Sequence, residues 1–110
     1  MTKNELKQIL NELKIQVNEG ITSNLSTGTY PRIVFWDYIW EDVTASGNNY
    51  TEKETYQISF YSKEPRHKKL IELRSKIREN GLHPIIFHEY IEKDRVFHSY
   101  MSLDVTVWSY

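Results

Sequence analysis

Cysteine is absent from the 110 residues of this sequence, and proline and glycine are scarce, with three and four residues respectively. The absence of cysteine excludes disulfide bonds, thiolate zinc sites and cysteine nucleophiles, and it fits a reducing compartment. The glycines are scattered along the chain and cannot form a glycine-rich phosphate loop. Folding must therefore rely on an apolar core, for which a chain of this length has room.

Neither sign of charge is in excess, and no long apolar run occurs. Fourteen Lys and Arg residues stand against fifteen Asp and Glu residues, so the net charge is -1 and no overall basic field attracts nucleic acid or anionic lipid. No segment approaches the ~20 apolar residues of a membrane span, and the start "MTKNELKQIL" lacks the apolar run of a signal peptide. We expect one soluble domain over residues 1–110 that binds neither membranes nor specific nucleic acid sequences.

Two segments have the hydrophobic period of an amphipathic helix. The first is predicted over residues 3–18, with Thr2 and Glu5 at capping-box spacing and Gly20 as its stop. The second is predicted to begin at Pro65 in its first turn and to stop at the Asn-Gly pair of residues 80–81. The predicted buried stripes consist of Leu6, Ile9, Leu10, Leu13 and Val17 in the first helix and of Leu70, Ile71, Leu73 and Ile77 in the second.

Four strands are predicted between and after these helices. The first is the aromatic stretch "YPRIVFWDYIW" of residues 30–40, and the second covers about residues 54–61. The last two lie within residues 82–108 and form a hairpin around the turn "EKDR". With Lys93 and Asp94 in the turn, Glu89 lies opposite His98, close enough for a charge-assisted hydrogen bond.

The predicted order α-β-β-α-β-β indicates an α+β fold. Two helices with one apolar stripe each would cover the same face of a four-stranded antiparallel sheet, which makes a two-layer sandwich. The other face of the sheet is left open, and its mixed apolar and polar side chains point to association with another protein.

The aromatic strand is apolar on both sides. Because strand side chains alternate, Trp36, Tyr38 and Trp40 lie with Val34 on one side, and Asp37 lies among apolar side chains on the other. We expect the Val34 side to be mainly core, with Trp40 reaching an interface, because the opposite side includes a carboxylate.

The polar residues offer weak catalytic and metal candidates. Four histidines occur, but only two ligands can be brought together, so we favour a structural or interfacial role for Glu89 and His98 over a metal or catalytic site. Glu41 and Asp42 are adjacent on a strand and point to opposite faces, which favours solvated surface over acid-base catalysis. The basic run of residues 66–69 is either a solvated surface or a binding site for a carboxylate on a neighbouring subunit. We predict no catalytic residues, no cofactor and no metal.

Exposed aromatic rings on a sheet can also stack on RNA bases. The rings of Trp36, Tyr38 and Trp40 have acidic neighbours at Asp37 and at residues 41–42, which would repel phosphates. Core packing or a protein interface is therefore the better interpretation of these rings.

Three stretches of the chain resemble a known family. "YPRIVFWDYIWEDVTASGNNYTEKETYQISFYSKEP", "LIELRSKIRENGLHP" and "HEYIEKDRVFHSYMSLDV" are similar to the small tail-completion proteins of long-tailed bacteriophages and prophages, also called tail terminators or head-tail joining proteins. The most telling pieces are Tyr30-Pro31, the segment "TYQI" of residues 55–58, the Gly81 helix stop and the hairpin of residues 90–98. The resemblance covers about residues 30–107.

The resemblance implies a non-enzymatic structural protein. Such a protein assembles with copies of itself into a ring, with six subunits expected, that caps the tail tube and meets the head connector. It would occupy the host cytoplasm during assembly and then the tail or neck of the virion. The alternatives are another head-tail connector or stopper ring component of a phage, or a small α+β ligand-binding domain.

A ring needs two different interface patches on each subunit, and the sequence suggests where they lie. We expect residues Ser46, Gly47, Asn48, Asn49 and Tyr50 to form a loop that projects toward the tube or the neck. The subunit interface is predicted to use Trp36, Tyr38, Trp40, Tyr100 and Trp108.

Overall fold

A computed structural model of the protein describes residues 1–20, 29–44 and 50–109. The α+β class is confirmed, but the sheet has five strands and is mixed, where four antiparallel strands were predicted. The strand order is β1-β2-β3-β5-β4, and only the β1 to β2 pairing is parallel. The elements are α1 (Lys3–Glu12), β1 (Gln16–Glu19), β2 (Arg32–Thr44), β3 (Tyr50–Ser62), α2 (Lys68–Glu79), β4 (Phe87–Ile91) and β5 (Val96–Ser109).

Helix α1 begins with the predicted capping box. The Glu5 amide donates to the Thr2 hydroxyl oxygen at 3.2 Å, and the Thr2 amide donates to the Glu5 carboxylate at 3.3 Å. These two bonds satisfy backbone donors that a helix start otherwise leaves unpaired. The helix stops at Glu12, because Lys14 has a φ of 56° and leaves the helical conformation.

The prediction that α1 continues to Asn18 is wrong, because this segment forms β1. Strand β1 pairs with the first four residues of β2, from Arg32 to Phe35. Val17 lies against the core from this strand, together with Ile15. Gly20 does adopt the left-handed conformation, with a φ of 85°, but it follows a strand, and its amide donates to the Phe35 carbonyl at 2.8 Å.

Helix α2 begins at Lys68, three residues after the predicted start at Pro65. His67 is its N-cap, and its ring nitrogen Nδ1 accepts a hydrogen bond from the Lys69 amide at 3.0 Å. The predicted stop is confirmed, since Asn80 is the C-cap and Gly81 has a φ of 81°. The two helices are joined by a salt bridge of 2.9 Å from Lys76 on α2 to Glu12 on α1, and this hydrogen bond lowers the pKa of Glu12 and raises that of Lys76.

Both helices pack on one face of the sheet, as predicted. Ile71 is an exception to the predicted stripe of α2, because its side chain is half exposed. The shared core consists of Leu6, Ile9, Leu10, Leu13, Leu70, Leu73 and Ile77 from the helical region and Ile33, Phe35, Tyr56, Ile58, Phe60, Met101, Leu103 and Val105 from the sheet.

The helix-facing side of β2 is the reverse of the predicted one. Ile33 and Phe35 point to the helices and are 0% and 3% exposed, while Trp36 lies on the open face. Val34 is buried as well, but on the open face opposite Ser59. Asp37 lies on the helix side opposite Tyr56, where it is only partly buried and its carboxylate accepts a hydrogen bond from the Trp40 ring nitrogen.

The last hairpin has the predicted register. His88 lies opposite Ser99, and Tyr90 lies opposite Phe97. The first strand is shorter than predicted, since β4 begins at Phe87 rather than Leu82. Tyr90, which pairs with Phe97, is 52% exposed.

Strands β2 and β3 form a longer ribbon than predicted. Their pairing extends to Thr44 opposite Tyr50, so Tyr50 belongs to a strand, and the expected loop residues Ser46, Gly47, Asn48 and Asn49 lie outside the described part of the chain. The radius of gyration is 15.3 Å, against roughly 13 Å for a compact domain of this length. The ribbon therefore projects past the helices.

Truncating a core residue of α2 should destabilise the protein strongly. Leu73→Ala removes a side chain that is 0% exposed, and we expect it to lower the free energy of unfolding by about 2–5 kcal/mol. Ile71→Ala on the same helix is the matched control and should stay within about 0.5 kcal/mol of the parent protein. Urea unfolding followed by circular dichroism measures both, and equal losses would contradict the assigned core.

Stability should also fall at high pH because of Tyr56. Burial raises the pKa of Tyr56 to about 12, and the hydrogen bond that its hydroxyl donates to Glu54 at 2.9 Å adds to the shift. An unfolded tyrosine has a pKa of about 10, so between pH ~10 and ~12 the unfolded state loses its proton first and the folded state is disfavoured. Thermal unfolding measured from pH 9 to 12 should show a steeper decline in the parent protein than in Tyr56→Phe. Parallel declines would rule out this contribution.

Candidate assembly surfaces

A β-bulge in β2 decides where the predicted interface rings point. The pairing of β2 with β3 shifts between Asp37 and Ile39, so Tyr38 is the extra residue. Beyond the bulge the alternation is reversed, which is the known effect of inserting one residue into a strand. Ile39 therefore lies on the open face opposite Thr55, and Trp40 points to the helix side.

The helix side of the projecting ribbon combines an exposed indole with carboxylates. Trp40 is 79% exposed, lies opposite Glu54, and donates a hydrogen bond from its ring nitrogen to Asp37. Two residues further, Asp42 lies directly opposite Glu52. We call this patch the acidic ribbon surface; it consists of Asp37, Trp40, Asp42, Glu52 and Glu54.

The open side of the same ribbon is held by polar contacts. The hydroxyl oxygens of Tyr38 and Ser102 are 2.9 Å apart, and Thr55 donates a hydrogen bond to Asp104 at 3.0 Å. Lys53 lies between Asp104, at 3.4 Å, and Glu41, at 3.8 Å. On this side each of these carboxylates has a cation or a hydroxyl partner, in contrast to the Asp42 and Glu52 pair.

The other end of the open face carries a row of stacked rings across the strands. The Arg32 guanidinium lies 4.7 Å from the centre of the Tyr61 ring, and Tyr61 stacks on His98 at 4.6 Å. His98 also stacks on Tyr100 at 5.0 Å, and Tyr100 stacks on Phe87 at 5.4 Å. Tyr100, a predicted interface residue, is thus half-buried within this row.

Glu89 and His98 occupy the edge of that row. The Glu89 carboxylate lies 2.8 Å from Nδ1 of His98, and the two residues are directly opposite each other on β4 and β5. Only 12% of the His98 side chain is exposed, and its second ring nitrogen, Nε2, is buried without a hydrogen-bond partner in the described structure. The contact orients the imidazole within the ring stack, and it leaves no exposed nitrogen for a ligand.

The sheet has two unpaired edges at opposite ends. Strand β1 covers only the start of β2, so from Trp36 to Thr44 no described strand pairs with the outer edge of β2. Strand β4 is the other edge as far as Tyr100 of β5, and from Met101 to Ser109 no described strand pairs with the outer edge of β5. Unpaired strand edges are templates for pairing with another chain. Both edges carry large exposed apolar side chains: Tyr38, Ile39 and Trp40 at β2, and Ile85, Phe87 and Tyr90 at or beside β4.

A groove separates α2 from the chain that enters β4. Its volume is about 330 Å³, and its apolar part includes Ile71 and Ile85. Two guanidinium groups, from Arg66 and Arg74, line the same groove, and neither forms an ion pair with a described residue. His88 also lines it, but its Nδ1 is 2.7 Å from the Ser99 hydroxyl. The groove consists of Arg66, Leu70, Ile71, Arg74, Pro84, Ile85, Ile86 and His88.

The predicted interface residues are divided among three regions. Trp36 and Tyr38 lie on the open face, Tyr100 lies in the stacked row, and Trp40 points to the opposite side of the sheet. Trp108 pairs with Thr51 through its backbone, but its side chain is outside the described structure. The five residues therefore do not form one patch.

Sequence reasoning missed the groove and the β4 edge. The helical pattern does not distinguish Arg74 from the other basic residues of the second helix, and the strand pattern does not indicate which strand lies at the sheet edge. The order of strands decides which strand is an edge, and that order is a tertiary property. The available signal was the apolar run "PIIF" at residues 84–87. Its Ile85 and Phe87 are exposed, and only another isoleucine lies between them.

Two features are absent from the described residues. No helix there is both long and apolar enough to cross a membrane. No group of three or more metal-ligating side chains is arranged in the described part to hold an ion.

No protein-family model matches the chain, and no curated protein is significantly similar to it.

Proposed function

We propose that the protein is a non-enzymatic structural subunit of a bacteriophage or prophage that completes the tail. In this role, copies of the chain form a ring, with six subunits expected, that caps the tail tube and joins the tail to the head connector. The ring would assemble in the host cytoplasm and remain in the tail or neck of the virion.

The observation that supports this proposal most directly is the pair of unpaired sheet edges with exposed apolar residues. A ring needs two different and complementary patches on each subunit, because every interface joins the front of one copy to the back of the next. The distal part of β2 and the β4 edge lie at opposite ends of one sheet. Each carries three large apolar side chains that are between 44% and 79% exposed.

The sequence resemblance supplies the biological setting. The segments that resemble tail-completion proteins include β2, β3, α2 and the β4–β5 hairpin, so they contain both edges. The ribbon formed by β2 and β3 projects past the helices, which suits contact with a tube or connector above or below a ring.

Self-association should depend on Trp40. Because this side chain is 79% exposed, Trp40→Ser should leave the free energy of unfolding within about 0.5 kcal/mol of the parent value. The same substitution should weaken self-association by about tenfold or more, since aromatic anchors dominate interfaces. Sedimentation velocity over a concentration series measures the effect. Trp40→Phe, which keeps an aromatic ring, and Lys7→Ser on the exposed side of α1 are the controls.

Loss of the protein should arrest particle assembly at the tail. In a phage or prophage genome that encodes the chain, deletion of its gene should give either tails of uncontrolled length or filled heads without tails, as seen by electron microscopy of the lysate. Plasmid-borne wild-type protein should restore normal particles. A stopper at the head would instead give heads that lose their DNA, and normal particles after deletion would contradict any role in the tail.

A further inference from the structure

We infer that the acidic ribbon surface of one copy docks into the groove beside α2 and β4 of a second copy. The inference rests on the proposed ring and specifies its interface. Trp40 and Asp42 are the central residues of the inserted side, and Arg66 and Arg74 are the central residues of the receiving side.

The inserted side carries charges that its own copy does not balance. Asp42 and Glu52 are direct cross-strand partners, and neither carboxylate forms a hydrogen bond or ion pair with a described side chain. Like charges directly opposite each other in an antiparallel pair destabilise the sheet. Trp40 adds a large exposed ring beside them. A partner surface that is cationic and partly apolar would offset the repulsion between the two carboxylates and would cover the exposed indole ring.

The receiving side has the complementary composition. The groove combines aliphatic side chains, of which Ile85 is 73% exposed, with the two guanidinium groups. Arg66 is also held in the left-handed backbone conformation, with a φ of 52°. This conformation is disfavoured for a non-glycine residue, and such strain clusters at functional sites. Arg66 lines the groove and directly precedes His67, the N-cap of α2.

The two sides also match as strands. The groove lies on the helix side of the sheet, because α2 forms one of its walls. If the unpaired edge of β2 adds to the β4 edge of the next copy, the helix sides of the two sheets become continuous. The bulge has turned Trp40 and Asp42 to that side. The indole then faces the aliphatic lining of the groove, and the carboxylate faces the guanidinium groups.

This interface joins two different surfaces, so it does not close as a symmetric pair. Each copy keeps a free ribbon at one end and a free groove at the other, and addition continues until the rotation between copies closes a ring. Strand addition at an edge supplies backbone hydrogen bonds, and the side-chain match supplies the register.

Charge reversal on each side separately tests the interface. The ribbon variant carries Asp42→Arg and Glu52→Arg, and it keeps one like-charged cross-strand pair, as in the parent protein. The groove variant carries Arg66→Asp and Arg74→Asp, and aspartate tolerates the left-handed backbone at residue 66. We expect each variant alone to self-associate at least about tenfold more weakly than the parent protein in sedimentation velocity, since like charges then meet across the interface.

An equimolar mixture of the two variants is the decisive sample. In the mixture, the reversed ribbon of one variant meets the reversed groove of the other, and the parent ribbon of the second variant meets the parent groove of the first. Opposite charges therefore face each other at every interface when the two chains alternate strictly. The affinity of assembly should then return to within about threefold of the parent value. Arg78→Asp, on the same helix but outside the groove, is the matched control and should associate as the parent protein does. Circular dichroism and thermal unfolding verify that every variant is folded.

Cysteine cross-linking gives a second readout at the same residues. The chain contains no cysteine, so copies carrying only Asp42→Cys and copies carrying only Arg74→Cys can form a mixed disulfide without interference from native thiols. This mixed product, separated from the two symmetric disulfides by a size tag on one of the chains, should exceed the one formed between Asp42→Cys and Arg78→Cys several-fold.

The outcomes separate this inference from the proposed function. If the parent protein associates but neither charge variant weakens it, the ring uses another surface and this interface is wrong. If the parent protein remains monomeric at all concentrations and no residue 42 to residue 74 disulfide forms, the interface is also wrong. A groove that instead binds a small carboxylate, seen as a shift of Arg74 side-chain NMR signals without any association, contradicts it as well. The particle assay decides the tail role independently in each case.

Discussion

The pairing of β2 with β3 is the constraint on which the rest of the structure depends. Its register turns Ile33 and Phe35 toward the helices, and so completes the core that α1 and α2 cover. The shift between Asp37 and Ile39 in the same ladder then reverses the alternation and turns Trp40 to the helix side. The part of β2 before the bulge therefore contributes side chains to the core, and the part after the bulge forms a separate exposed surface.

Covering one face of the sheet with two short helices leaves the other face and both ends to be stabilised by the sheet itself. The stacked row from Arg32 through Tyr61 and His98 fills the open face near β4. At the projecting end, Lys53 balances Glu41 and Asp104 on the open side, but no described cation balances Asp42 on the other. Charge is thus satisfied within one copy on one side only. The proposed ring places the missing cations on the neighbouring copy.

Much of the fold could be predicted from local signals. The Thr2 and Glu5 capping box, the Gly81 stop and the register of the last hairpin all depend on residues close in sequence, which is why pattern reasoning found them. Strand β1 could not be found in this way, because Ile15 and Val17 fit the end of a helical stripe and form a strand only through pairing with β2. The bulge was equally hidden, since nothing in "WDYIW" identifies which residue is unpaired. The groove depends on α2 lying beside the chain that enters β4, and no local pattern encodes that proximity.

Local chemistry alone was therefore enough for the α+β class, the start of α1, the end of α2, the hairpin register and the excess of apolar surface around residues 30–40. Tertiary structure decided the strand order, and with it which strands are edges. It also decided which side of β2 is buried, because a one-residue shift in register exchanges the two faces of a strand. The alternation of side-chain types along a sequence indicates that the two faces of a strand differ. Only the partner strand and the covering helices decide which of the two faces becomes part of the core. For the same reason the sequence could indicate an excess of apolar surface on this strand, while only the assembled sheet could show on which face and edge that surface lies.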